Sequence, residues 1–289
     1  MSIIPQLVLN SIIAGAIYTL VALGFNLIYG ATKFFNLAHG VLAAVGGYAV
    51  FYLTKTWGIN VIVSVIVGVL FAGLLGYALD KIIYSPLRKR KASNMVLLVA
   101  SLGAFTTIQA IIAILFTSQF QTLSQGIETT KIYTIFSGVI TQIQLIILIL
   151  GILIMFGLAL ILKKTMIGKA IKAVSDDEEV ARIVGINTNK ITSYVFFVGS
   201  AIAGLAGIMV GFDVGIEPTM GMSLLLKGVI ASIIGGVGNM YGGVLGAFLL
   251  GFVENFGIWK ISGEWKDAIA FGLLIIFLLI RPKGIIQKR

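Results

Sequence analysis

Long stretches without charge constrain this chain more than any other feature. Runs lacking Asp, Glu, Lys and Arg cover residues 1–32, 34–54, 56–79, 92–127, 132–162, 191–212, 228–253 and 268–280. A bilayer core about 30 Å thick takes roughly 20 apolar residues of helix. All but the last run reach that length, and the last is read as extending back through Trp265, with Lys266 and Asp267 at the interface. Val, Ile and Leu fill the runs without a two-residue alternation, so an outer-membrane barrel does not fit and helices remain. Charged residues make up 11% of the 289, against about 25% in soluble domains. That excludes an ordinary soluble enzyme, and the apolar content excludes a disordered chain. The first 32 residues carry no Lys or Arg, so 7–30 read as a retained span and not a secretory signal.

Cysteine is absent and His39 is the only histidine. A disulfide framework, a thiolate nucleophile and a histidine-rich metal site are all excluded. The net charge of +10 would suggest nucleic acid in a soluble protein. Here the basic residues read as topology signals, and no nucleic-acid partner is expected. They cluster at 81–91, at 163–190 and in a tail holding Arg281, Lys283, Lys288 and Arg289. The positive-inside rule puts these three segments in the cytoplasm. Segments 117–139, with only Glu128 and Lys131, and 212–223, with Asp213 and Glu217, then lie outside. Counting crossings puts the N-terminus outside, and the tail inside if 224–254 is a pair turning near 235–243. The expected fold is all-α: a polytopic integral membrane protein, one permease domain over 1–289. It has eight or nine membrane helices, at least one of them discontinuous.

Two interruptions stand out among 35 glycines. GFNLIYGATKFFNLAHG contains Asn26, Asn36 and His39, and IIGGVGNMYGGVLG contains Gly235, Gly236, Gly238 and Asn239. Matching breaks in two halves point to discontinuous helices at a transport site, which makes these seven residues candidates for a translocation pathway. The alternative is a pair of ordinary surface turns. His39 reads equally as an interfacial hydrogen-bonding residue. Glu254, near a span end, reads as a partner of Lys227 or Lys260, or as a residue lying at the interface. Gly204 and Gly207, with Ala203 and Ala206, form a small-residue face suited to helix packing.

The one sizeable polar segment, KKTMIGKAIKAVSDDEEVARIVGINTNK at 163–190, lies between spans. Ser175 and Glu178 have the spacing of a capping box, opening a short helix at 176–184. Asp176, Asp177, Glu178 and Glu179 favour its first turn electrostatically. Arg182 lies toward its end and Gly185 suits the stop. Val180, Ile183 and Val184 give it an apolar strip, and 169–172 reads as an earlier amphipathic helix. A paired helix of this kind suits docking on another protein. The four acids argue against a hairpin resting on an anionic leaflet. No GxxxxGK[ST] loop is present, so this chain lacks that means of binding ATP.

The sequence resembles the LivH-type permease subunits of ABC importers for branched-chain amino acids. The resemblance runs through GAIYTLVALGFNLIYGATKFFNLAHG, GKAIKAVSDDEEVARIVGIN and GVIASIIGGVGNMYGGVLGAFLLGFVE, in that order. It implies that 168–187 receives an ATPase subunit. It implies partners: a second related permease, two ABC ATPases that use the ATP, an extracytoplasmic substrate-binding protein and the bilayer of the cell (inner or plasma) membrane. No cofactor on this chain is implied. The same superfamily includes urea and short-amide importers, which leaves the cargo open. A stand-alone secondary transporter or channel would need an intramembrane charge for ion coupling. An intramembrane enzyme would need paired carboxylates or a Ser/His arrangement inside the bilayer, and Asp and Glu are missing from the long runs.

Overall fold

The computed structural model describes residues 3–124, 131–135 and 137–286; Glu128, Lys288 and Arg289 lie outside them. Helices follow the apolar runs: α1 (Ile3–Thr32), α2 (Ala38–Lys55), α3 (Val61–Leu79), a short α4 (Ser85–Lys89), α5 (Asn94–Phe116), α6 (Gln142–Lys164), α7 (Met166–Asp176), α8 (Glu178–Ile183), α9 (Thr188–Asp213), α10 (Met220–Gly235), α11 (Met240–Lys260) and α12 (Lys266–Ile280). Six of the described helical segments are long and apolar enough to cross a bilayer: α1, α3 continued through α4, α5, α6, α9 and α11. The chain is therefore a mostly helical, multi-pass membrane protein. Three further apolar helices, α2, α10 and α12, are shorter, at 18, 16 and 15 residues. The expectation of an all-helical chain needs one correction. An antiparallel hairpin, β1 (Ile132–Ile135) and β2 (Gly138–Thr141), pairs Ile132 with Thr141.

Burial separates the helices into two groups. The apolar windows of α1 and α9 are 67% and 72% buried, those of α3, α5 and α6 only 22–28%. The first pair forms a core with α2, α10 and α11. The second group turns Ile66, Leu70, Ile114, Leu153 and Phe156 outward. So much exposed aliphatic surface is stable only against hydrocarbon. Glycine sets the spacing within the core. A Cβ on Gly46 would fall on the backbone of Gly204, and one on Gly207 on that of Ala43. The small-residue face of α9 thus lets α2 approach by backbone, as expected of close membrane packing.

Tertiary contacts sort the loops to two ends. At one end Lys33 Nζ donates to Ser175 O at 2.7 Å, Asn94 Nδ2 to Lys33 O at 3.3 Å, and Ile286 N to Gly235 O at 3.0 Å. The described residues of all three basic clusters gather at this basic end. At the opposite end Gln6 bonds Val139 in both directions, at 2.7 and 3.0 Å, and Gln144 Nε2 donates to Asp213 at 3.0 Å.

Candidate functional site

The two sequence interruptions take different forms. In the first, α1 stops at Thr32, Lys33 adopts φ +56°, and residues 34–37 run through the interior before α2 begins. Phe34 and Asn36 are buried, and His39 is fully so. Asn36 Oδ1 accepts from Ala38 N at 3.1 Å and from Tyr84 Oη at 3.0 Å, which closes the first turn of α2. Leu37 N donates to Ser101 Oγ at 3.0 Å. Unpaired amides at such depth would cost several kcal/mol; Ser101 of α5 takes up Leu37 N and Asn36 takes up Ala38 N, while Tyr84 holds Asn36 in place. His39 Nε2 lies 3.4 Å from Val21 O, and its ring packs where a Cβ on Gly24 would stand. The first turn of α2 meets the first turn of α10, because Gly40 and Gly221 touch by backbone.

The second interruption is a turn between α10 and α11 at the basic end. Gly236 and Gly238 have φ +110° and +80°, a region that glycine enters at little cost. Asn26 Oδ1 accepts from Gly238 N at 2.8 Å, and Asn26 Nδ2 donates to Asn239 O at 3.4 Å. The tail closes over the turn through Ile285 N to Ile234 O, 2.8 Å. The structure thus joins Asn26 with Gly235, Gly236, Gly238 and Asn239 and leaves Asn36 and His39 elsewhere. Of the two readings of 235–243, the structure shows the turn of a helix pair, α10 and α11, as the crossing count required. The interior break of the second half precedes α10, at 214–219, where Ile216 and Gln121 pair by backbone at 2.7 and 2.9 Å.

On the basic end, α7 and α8 form the loop foreseen at 163–190. The boundary differs from the sequence reading. Ser175 lies inside α7, which runs to Asp176, and the N-cap of α8 is Asp177. Its Oδ1 accepts from Glu179 N at 2.8 Å and Val180 N at 3.0 Å. Glu178 and Arg182 pair at 3.0 Å, and Gly185 ends the turn at φ +88°. Ala181 is buried, but Val180, Ile183 and Val184 are 54%, 83% and 68% exposed. This apolar strip is unsupported by the chain itself.

Two ionic clusters form around buried carboxylates; the charge pattern missed the first and caught one pair of the second. Asp80, fully buried, accepts from Arg88 Nη2 and Ser193 Oγ, both at 2.6 Å. Glu254, also fully buried, accepts from Tyr18 Oη at 2.7 Å and lies 3.7 Å from both Lys227 and Lys266; Lys227 is 3.4 Å from Asp267. Of the two partners proposed for Glu254, Lys227 is present, and Lys266 joins it in place of Lys260. A cavity of about 490 Å³ opens beside this cluster toward the opposite end.

Residues 7–278 match the profile of a family described as the permease component of branched-chain amino acid transport systems. The chain is 30% identical to the high-affinity branched-chain amino acid transport system permease protein BraD of Pseudomonas aeruginosa, over 98% of this chain and 95% of that one. It is 28% identical to LivH of Escherichia coli (strain K12), with the same coverage. A probable LivH of Methanocaldococcus jannaschii is 29% identical, over 96% and 90%. Among solved structures, a chain of PsaBC from Streptococcus pneumoniae in complex with Fab shares the fold. The TM-score is 0.54 at 15% identity, covering 98% of this chain and 93% of that one.

Proposed function

Because the chain belongs to the family of branched-chain amino acid transport permease components, we propose that it is one permease domain of an ATP-driven importer in the inner or plasma membrane. It forms half of a translocation pathway beside a second, related permease. Of two ABC ATPases serving the permease pair, one docks on the basic end of this chain, and an extracytoplasmic binding protein delivers cargo to the opposite end. The chain crosses nine times, α2, α10 and α12 joining the six long segments. With α1 starting outside, an odd count returns the tail to the cytoplasm beside the other basic clusters, as the positive-inside rule requires.

The observation that carries the coupling role is the exposed strip of α8. Val180, Ile183 and Val184 project from a capped helix beyond the spans, and the sequence holds no phosphate-binding loop of its own. Energy then has to cross a non-covalent contact. Asp at Val180 and Ile183 would place charge in that contact, at a cost of several kcal/mol if unpaired. The Val180→Asp/Ile183→Asp chain should insert normally, lose co-purification of the ATPases, and lose hydrolysis stimulated by loaded binding protein. Wild-type levels of both would remove α8 from the coupling role.

The pathway is assigned to the meeting of the α2 and α10 first turns, where Gly40 and Gly221 seal it by backbone. Asn36 and His39 set the start of α2 there. Asn26, Gly235, Gly236, Gly238 and Asn239 fix the α10–α11 hairpin that moves with it. A second reading, a stand-alone ion-coupled carrier, draws on the buried Lys227–Glu254–Lys266 cluster, since ionisable groups within spans often mark coupling sites.

A further inference from the structure

Resting on the permease reading, we propose that the cavity beside Glu254 is an outer holding site for one zwitterionic aliphatic amino acid. It seats the carboxylate between Lys227 and Lys266 and the ammonium toward Asp213. Its volume of about 490 Å³ falls within the range of small-ligand sites, about 300–1,000 Å³. Its lining carries both signs of charge: Lys227 from α10 and Lys266 from α12, and Asp213 from the end of α9. Ile17 and Leu224 supply apolar wall between them. That combination matches an ammonium, a carboxylate and a branched hydrocarbon on one small molecule.

The cationic side is under-coordinated. Each ammonium has three donors. Yet Lys227 and Lys266 both stand 3.7 Å from Glu254, beyond ordinary hydrogen-bond length. Glu254 Oε1 is buried without a hydrogen-bond partner, its other oxygen being held by Tyr18. Lys227 also lies 3.4 Å from Asp267, which is largely exposed; with three donors each, both amines keep capacity for a ligand carboxylate. The first turn of α10 lines the same cavity through Met220, Ser223 and Leu224. On the anionic side, Asp213 accepts one hydrogen bond from Gln144 through Oδ1 and keeps a second oxygen for an ammonium.

The cavity also has an orientation. Its lining reaches the helix ends at Gln144, Asp213 and Lys266, on the end opposite the basic clusters. Toward the basic end the seam closes: a Cβ on Gly228 would meet Val21, and one on Gly246 would fall on Ala231 O. An amino acid seated here stands outside a sealed passage, where a binding protein would release it.

The test uses the cysteine-free chain in its assembled complex, reconstituted in proteoliposomes without ATP. Ser223→Cys places one thiol in the cavity, and Thr56→Cys, exposed at the same end, serves as control; Asn10→Cys on the facing wall replaces Ser223→Cys if that chain does not insert. The rate of reaction with a small impermeant thiol reagent is read with L-leucine, with L-leucinol, which lacks the carboxylate, and with 4-methylpentanoate, which lacks the ammonium. L-Leucine should slow the cavity thiol severalfold and leave Thr56→Cys unchanged, and the two truncated probes should protect less. Protection should vanish with Lys227→Met and persist with Lys227→Arg. An unprotected thiol, equal protection by all three probes, or a thiol that never reacts overturns the proposal. Leucine uptake by the unmodified chain is measured alongside. Uptake without protection sinks the holding site and spares the permease reading; protection without uptake does the reverse.

Discussion

The breaks after α1 and after α10 look alike in sequence and differ in kind. Each interrupts an apolar run with asparagine and glycine. After α1 the chain keeps to the interior, and two of its amides are met by side chains: Leu37 N by Ser101 of α5, and Ala38 N by Asn36 two residues before it. After α10 the chain turns at the basic end, and glycine conformation does most of the work, with Asn26 and the tail as clamps. The first is a tertiary construction that fixes where α2 starts and so brings Gly40 against Gly221. The second is a local turn. Depth, more than residue type, separates the two breaks: the segment after α1 folds back against Val21 and Gly24 within α1, whereas the α10–α11 turn stays at the helix ends under the tail.

If that contrast is right, substitutions should grade by depth. The largest effect is expected for Gly40→Leu. A Cβ there falls on Gly221 O and lies 2.8 Å from Leu225 Cβ. A loss of about 4 kcal/mol or more should leave no monodisperse protein after detergent extraction, read by fluorescence-detected size exclusion. Asn36→Leu comes next. It strips acceptors from Ala38 N and Tyr84 Oη, each about 1–3 kcal/mol when buried; thermal unfolding in detergent should shift clearly downward. Asn26→Leu should cost less, about 1–2 kcal/mol, since the tail still holds the α10–α11 turn; it would break the comparison by unfolding the chain more readily than Asn36→Leu. The smallest effect belongs to Gly238→Asn. Its φ of +80° is one asparagine tolerates, and the nearest atoms to a Cβ lie 4.0 Å away. A shift under about 1 kcal/mol and wild-type leucine uptake are expected.

Some of this architecture was legible before any coordinates. The six long segments follow the charge-free runs because desolvating a charge in lipid is costly whatever the tertiary context. The described basic residues gather at one end, the one-sided bias that the positive-inside rule describes. Gly185 stops α8 as its position suggested, and the α9 glycines pack as a small-residue face. What escaped depended on contacts distant in sequence. Glu254 and Lys227 sit in different helices from Tyr18 and Lys266, and no local pattern distinguishes their cluster from separate interfacial charges. The N-cap was misplaced by two residues, from Ser175 to Asp177, because α7 continues through the serine and Asp177 competes for the same amides. The equivalence of the two breaks failed because spacing carries no information on depth. The hairpin at 132–141 lacks a clear alternation, so nothing marked it as strand.

The most direct measurement compares leucine uptake by the complete system with uptake when only the ATPase subunits are disabled for hydrolysis, the assembled complex and this chain being unchanged. The account predicts that accumulation of labelled leucine falls to background in the second case and does not respond to an imposed ion gradient. Uptake that persists without hydrolysis and follows the gradient would contradict it and make the buried Lys227–Glu254–Lys266 cluster the coupling site of a stand-alone carrier.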